Sequence, residues 1–189
     1  YPGEIQVTCL GVDVDIYDGN SNSTTNKGEL ICKSSIPSMP IGFWNDSKKE
    51  KYISSYFSKF ENIWSQGDFA QYTNRNGIVI YGRSDATLNP GGIRIGTAEI
   101  YRVVESFIEI NESVVVGQSW NNDVRVILFV TLNENFELNQ SLVDRIEEKI
   151  KEATSIRHVP SKIILVTDIP RTRSGKISEL SVRDTINNI

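Results

Sequence analysis

The stretch "PRTRSGKISE" (170–179) holds Arg171, Arg173 and Lys176 within six residues, with Lys176 directly behind Ser174 and Gly175. A compact ammonium on a four-carbon stem, carried by a glycine-containing loop, can enter a site as a point charge and withdraw again. The same residues also suit a solvated basic turn. A P-loop is excluded: its first glycine is absent, and Ile177 stands where Ser or Thr would hold magnesium. Two further stretches gather polar groups. "WSQGDFA" (64–70) places Asp68 after Gly67, where a carboxylate could accept from two vicinal hydroxyls, although a lone Gly-Asp reads first as a turn. "YGRSDATLNPGGIRIGTAEIY" (81–101) collects Arg83, Asp85, Gly91, Gly92, Arg94 and Gly96 in one polar bend, where glycines permit close ligand approach. Its glycine spacing matches neither G-x-G-x-x-G nor the P-loop. The single histidine, His158, gives little support to a zinc site or a Ser-His-Asp triad, and it reads as a packing or surface residue.

The elements that must position these groups fall into two kinds. Residues 5–17 alternate apolar and polar around Gly11 and predict strand with one buried face. "ELICK" (29–33) and "GIVIYG" (77–82) predict two more strands, and 47–60 a short helix with Tyr52, Tyr56 and Phe57 near one side. The character changes near Asp85. Ile100, Val103, Val104 and Phe107 sit at helical spacing in 97–107, with Thr97 as the expected N-cap. Strands are expected at 113–118 and 124–132, parted by a polar turn, "SWNND". A helix at 140–154 turns Leu142, Val143, Ile146 and Ile150 inward; a strand at 162–169 and a helix at 178–188 complete the series. The expected class is α+β: a small, mostly-β unit over 1–84, then a compact α+β unit over 85–189.

Composition narrows the function. The chain has 189 residues, 39% of them hydrophobic and 23% charged, as in an ordinary globular protein. A net charge of −4 argues against nonspecific nucleic-acid binding, and no apolar run approaches membrane-spanning length. Two cysteines, Cys9 and Cys32, fit a reducing, cytosolic compartment without a disulfide framework. The opening "YPGEIQVTCLG" begins in what reads as strand, so a piece of a longer protein is expected.

Taken in order, four motifs form a specific set. They are Gly67-Asp68, then Gly82-Arg83-x-Asp85, then Gly92-x-Arg94-Ile95-Gly96-x-x-Glu99-Ile100, and finally Arg171-x-x-x-Gly175-Lys176. This set, spread over essentially the whole chain, resembles the adenylate-forming superfamily of acyl-CoA synthetases, luciferases and peptide-synthetase adenylation domains. "IPSMPIGFWND", the 82–107 stretch, "VRVILFV" and "RHVPSKIILVTDIPRTRSGKISEL" are most similar to its acid–CoA ligases that act on acetoacetate.

The resemblance implies acetoacetate, ATP with Mg2+, and CoA as substrates; a ligase for acetate or propionate is the alternative, and a non-catalytic interaction module a third. It implies Lys176 as the catalytic cation between carboxylate and α-phosphate, with Arg171 and Arg173 as solvated or phosphate-steering neighbours. By the same resemblance Asp68 holds the adenosine ribose, Arg83 contacts ribose or phosphate, and Arg94 contacts the nucleotide phosphates. Asp85 is the implied hinge, exposed and little packed, about which 85–189 turns as a mobile lid. Gly92 would let pantetheine pass, and Lys151 falls where some relatives carry an arginine for CoA phosphates. The ATP loop, adenine-binding stretch and acid pocket of the family are absent from these residues. The chain is therefore expected to be a C-terminal fragment, inactive alone, with no bound metal, nucleic acid or membrane.

Overall fold

Short runs of β-branched and aromatic residues build the first of two units, Tyr1–Asp85 and Ala86–Ile189, in this computed structural model, which describes residues 1–189. In the first unit β1 (Val14–Tyr17), β2 (Gly28–Cys32), β3 (Trp64–Tyr72) and β4 (Ile78–Arg83) form one sheet in that order, every pair antiparallel. Ile16, Ala70 and Ile78 are buried on it, with Leu30, Tyr72 and Ile80 packed against them. Helix α1 (Glu50–Tyr56) adds an aromatic cluster in which Phe43, Tyr52, Tyr56 and Trp64 meet edge to face.

Three expectations change here. The alternation in 5–17 becomes strand only at Val14–Tyr17. Before it, a single bridge joins Ile5 to Ile78, and Leu10 is fully exposed, because that run has no sheet partner in the chain. Helix α1 is shorter than 47–60: Lys49 before it is left-handed at φ 57°, Phe57 leaves helical angles at φ −128°, and the Asp46 carboxylate accepts from the Tyr52 amide of its first turn at 2.8 Å. Residues 64–70 are no turn. They form most of β3, which runs through Gly67 and absorbs the irregularity by a register shift between Phe69 and Ala70.

The second unit has three layers. Its sheet is β5 (Ile110–Trp120), β6 (Asp123–Leu132) and β7 (Lys162–Leu165) in that order, β5/β6 antiparallel and β6/β7 parallel. Only Asn121 and Asn122 lie between β5 and β6, both at positive φ (51° and 61°), as a tight two-residue hairpin requires. Helices α2 (Thr97–Val104) and α3 (Gln140–Ala153) cover one face, burying Ile100, Val104, Ile146 and Ile150 against Val115, Leu128 and Val130. Helix α4 (Glu179–Asn187) covers the other, where Val182 meets Val114, Val116 and Ile169. The period of two along β5 thus sends alternate valines to opposite cores.

Gly96, not Thr97, stands at the start of α2. The Glu99 carboxylate accepts from the Gly96 amide at 3.1 Å, while Thr97 is buried as the first helical residue. Asn139, which the sequence reading did not single out, caps α3 through its side chain, accepting from the Leu142 amide at 3.0 Å. The expected strand 162–169 leaves the sheet after Leu165, so that Ile169 can enter the core under α4.

Strand β5 is an edge, and both helix layers close it. The Val115 amide donates to the Tyr101 hydroxyl at 3.1 Å, and that hydroxyl donates to Glu179 at 2.5 Å. Farther along, Asn187 accepts from the Ser119 amide at 2.8 Å and donates to the Gly117 carbonyl at 3.1 Å. These side chains occupy backbone groups that another strand could otherwise pair with.

Candidate functional site

In the first unit the β3–β4 register sets Asp68 opposite Arg83. The Arg83 guanidinium donates to the Gln66 carbonyl at 2.6 Å and, through Nε and Nη2, to both oxygens of Asp85 at 3.3 and 3.1 Å. Its Nη1 lies 4.0 Å from Asp68 Oδ1. Gly67 makes this possible twice over: its φ is 82°, and a Cβ there would stand 2.7 Å from Arg83 Nη2. Burial pushes the Asp68 carboxyl above its ordinary range, with Arg83 opposing the shift. The Asp85 hydrogen bonds push the Arg83 guanidinium further up. The result is a rigid carboxylate with two acceptor oxygens beside a fixed fork of donors, suited to a ligand carrying hydroxyls near an anion. Asp85 is exposed, yet Arg83 holds it.

One group here escaped sequence reasoning. Glu29 of β2 is only 3% exposed and accepts from Ser65 Oγ at 2.8 Å and Ser84 Oγ at 3.0 Å, while pairing with Lys59. It lies in the wall of a cavity of about 270 Å³ shared with Gln66, Arg83, Ser84 and Asp85. A glutamate at the start of a strand gives no local sign of burial. Its three partners come from three other segments.

In the second unit, Lys176 sits on a small hairpin closed by an Arg171–Ile177 bridge. The Thr172 amide donates to the Lys176 carbonyl at 2.8 Å, and the Gly175 amide to the Thr172 carbonyl at 2.9 Å. Gly175 takes φ 86°, which a side chain would resist. The Lys176 ammonium is exposed and makes no ion pair or hydrogen bond. Arg173 is exposed beside it. Arg171 is not merely a solvated neighbour: its Nη1 donates to the Gly175 carbonyl at 2.7 Å, and its Nη2 pairs with Glu112 on β5.

Gly92 and Arg94 lie together in the loop before α2, both exposed. Nothing approaches within 4 Å of where a Gly92 Cβ would stand, and Gly92 borders a shallow concavity with Trp120, Asn121 and Asp123. Lys151 is exposed on the last turn of α3. His158 is partly buried, its Nδ1 2.9 Å from Ser155 Oγ and its Nε2 3.7 Å from the Glu99 carboxylate. Cys9 and Cys32 are both free. No group of three or more His, Cys, Asp or Glu side chains converges as a metal site, and no helix is long and apolar enough to cross a membrane.

Residues 99–176 match the family described as the AMP-binding enzyme C-terminal domain. Over 185 residues, 97% of its length, the chain is 54% identical to an acetoacetyl-coenzyme A synthetase of Rhizobium meliloti (strain 1021). It is 42% identical over 189 residues to the acetoacetyl-CoA synthetase of Xenopus tropicalis. Among solved structures, the acetoacetyl-CoA synthetase from Streptomyces lividans superposes with a TM-score of 0.88 at 41% identity, covering 95% of this chain and 27% of that one. The chain spans 28% of the length of each of these two relatives.

Proposed function

The chain belongs to the adenylate-forming enzymes, and from that premise we propose that it is the C-terminal part of an acetoacetate–CoA ligase. The reaction has two halves. An acetoacetate oxygen attacks the α-phosphorus of ATP, the bond to pyrophosphate breaks, and acetoacetyl-AMP remains. The CoA sulfur then attacks the acyl carbon, AMP leaves, and the thiol proton passes to solvent. ATP enters as its magnesium complex, a substrate. Two free cysteines support a reducing, cytosolic setting.

Lys176 is the cation of the first half. It brings positive charge to a point where a carboxylate and a phosphate, both anionic, must approach. The Asp68 carboxylate accepts from the two ribose hydroxyls, and Arg83 fixes the strand beside it while facing ribose or phosphate. Arg94 contacts nucleotide phosphates, Gly92 leaves open backbone past which pantetheine can run, and Lys151 offers a charge for CoA phosphates. Asp85, between the two units, is the hinge.

The observation that carries this reading is the unpaired Lys176 ammonium, held out on a closed hairpin at the end of the matched domain. Lys176→Ala in the full-length enzyme tests it. Acetoacetyl-AMP formation, followed by pyrophosphate exchange, is expected to fall by roughly 10²–10³-fold, the usual loss for a group stabilising developing charge. Thioester formation from preformed acetoacetyl-AMP should change little. Equal loss of both halves removes the assigned role. A clear preference for acetate over acetoacetate in the wild-type enzyme reassigns the acid to a short unsubstituted one.

A further inference from the structure

We propose that Arg171, together with Glu112, is a positioning residue for Lys176, holding the lysine hairpin in register with edge strand β5. The proposal rests on the reading of Lys176 as the adenylation cation. From Thr172 to Lys176 the hairpin has only a few bonds of its own, all at the surface, and such segments open readily. Arg171 supplies what they lack. One arm of its guanidinium donates to the carbonyl of Gly175, the residue just before Lys176, and the other pairs with Glu112. A single planar group thus joins the backbone beside the catalytic lysine to the sheet. Lysine at 171 carries one point charge and cannot make both directed contacts.

The Glu112 end is also prepared. β5 shifts register between Ile110 and Glu112, a bulge of the kind that re-aims a side chain near a site. Glu112 and Arg171 come from segments 59 residues apart. The pair is partly exposed, so it contributes little to overall stability. Its effect falls on where the ammonium stands.

The test uses the full-length enzyme with Arg171→Ala, Arg171→Lys, Glu112→Gln, the Arg171→Ala/Glu112→Gln double variant, and Lys176→Ala as reference. Displacing a reacting group by about 1 Å can cost 10²-fold, so partial loosening in Arg171→Ala should lower the adenylation kcat roughly tenfold. The KM for ATP and the thioester half-reaction should stay within about twofold, since uniform binding is untouched. Glu112→Gln should fall between wild type and Arg171→Ala, and Arg171→Lys should not restore the rate. The double variant should be no slower than Arg171→Ala, because the two side chains act as one unit. Unchanged adenylation in Arg171→Ala overturns the proposal. So does a raised KM for ATP with Glu112→Gln silent, which marks Arg171 as a phosphate contact. If Lys176→Ala itself keeps its adenylation rate, the assignment of Lys176 fails and this proposal with it.

Discussion

Asp68 shows how burial strains a single charged residue. Its carboxyl titrates above the ordinary aspartate value of about 3.9 because burial opposes the charge more than Arg83 favours it. The folded unit therefore keeps this proton longer than the unfolded chain does. Stability from the group is complete below the ordinary value and falls as pH rises through the raised folded value. Asp68→Asn removes that loss. The variant should melt higher than wild type at neutral pH, and the gap should close in acid; thermal melts across that range measure it. The same change trades one acceptor oxygen for an amide and removes the charge; if Asp68 holds the ribose, nucleotide affinity of the full-length enzyme should drop about ten- to a hundredfold, as expected for charged hydrogen bonds. A variant that melts lower at neutral pH contradicts the buried-charge account.

At the scale of elements, the closed edge of β5 is the feature with the clearest consequence. Tyr101 of α2 and Asn187 of α4 reach it from opposite layers, so each helix is tied to the sheet by a hydrogen bond as well as by its apolar face. Burial first, and Glu179 second, push the Tyr101 hydroxyl far above its usual range, and it stays a donor throughout ordinary pH. Tyr101→Phe strands the buried Val115 amide. Unfolding free energy should fall by about 1–3 kcal/mol, the cost of an unsatisfied buried group, and Val115 amide exchange should quicken. Ile146→Ala, which empties a fully buried position of α3, should lower it by about 2–5 kcal/mol. Urea titrations compare the two.

At the scale of the molecule, the chain's two units are joined at Asp85. Proline at 85 fixes its φ near −65° and restricts Ser84 as well, and it also removes the carboxylate that Arg83 grips. If Asp85 is the hinge, Asp85→Pro in the full-length enzyme should lower overall turnover by roughly tenfold or more while sparing one half-reaction. Single-turnover assays of each half decide it; equal loss in both removes the hinge role. The 189-residue chain by itself should release no pyrophosphate from ATP and acetoacetate.

Elements whose signals are local could be read from the chain alone: α3 from its apolar period, β6 and β4 from β-branched runs. The sequence also carried the ordered motifs through which Lys176, Asp68, Arg83 and Asp85 could be named as candidates. Only the tertiary structure decided that Gly67-Asp68 lies inside a strand, that Glu29 is buried under Lys59, Ser65 and Ser84, and that Arg171 braces the lysine hairpin through Glu112. The physical reason is range. A cap or an amphipathic period is written within a turn or two of chain, whereas a hydrogen-bond partner 36 or 59 residues away is chosen by strand register and by which groups burial leaves in need of one.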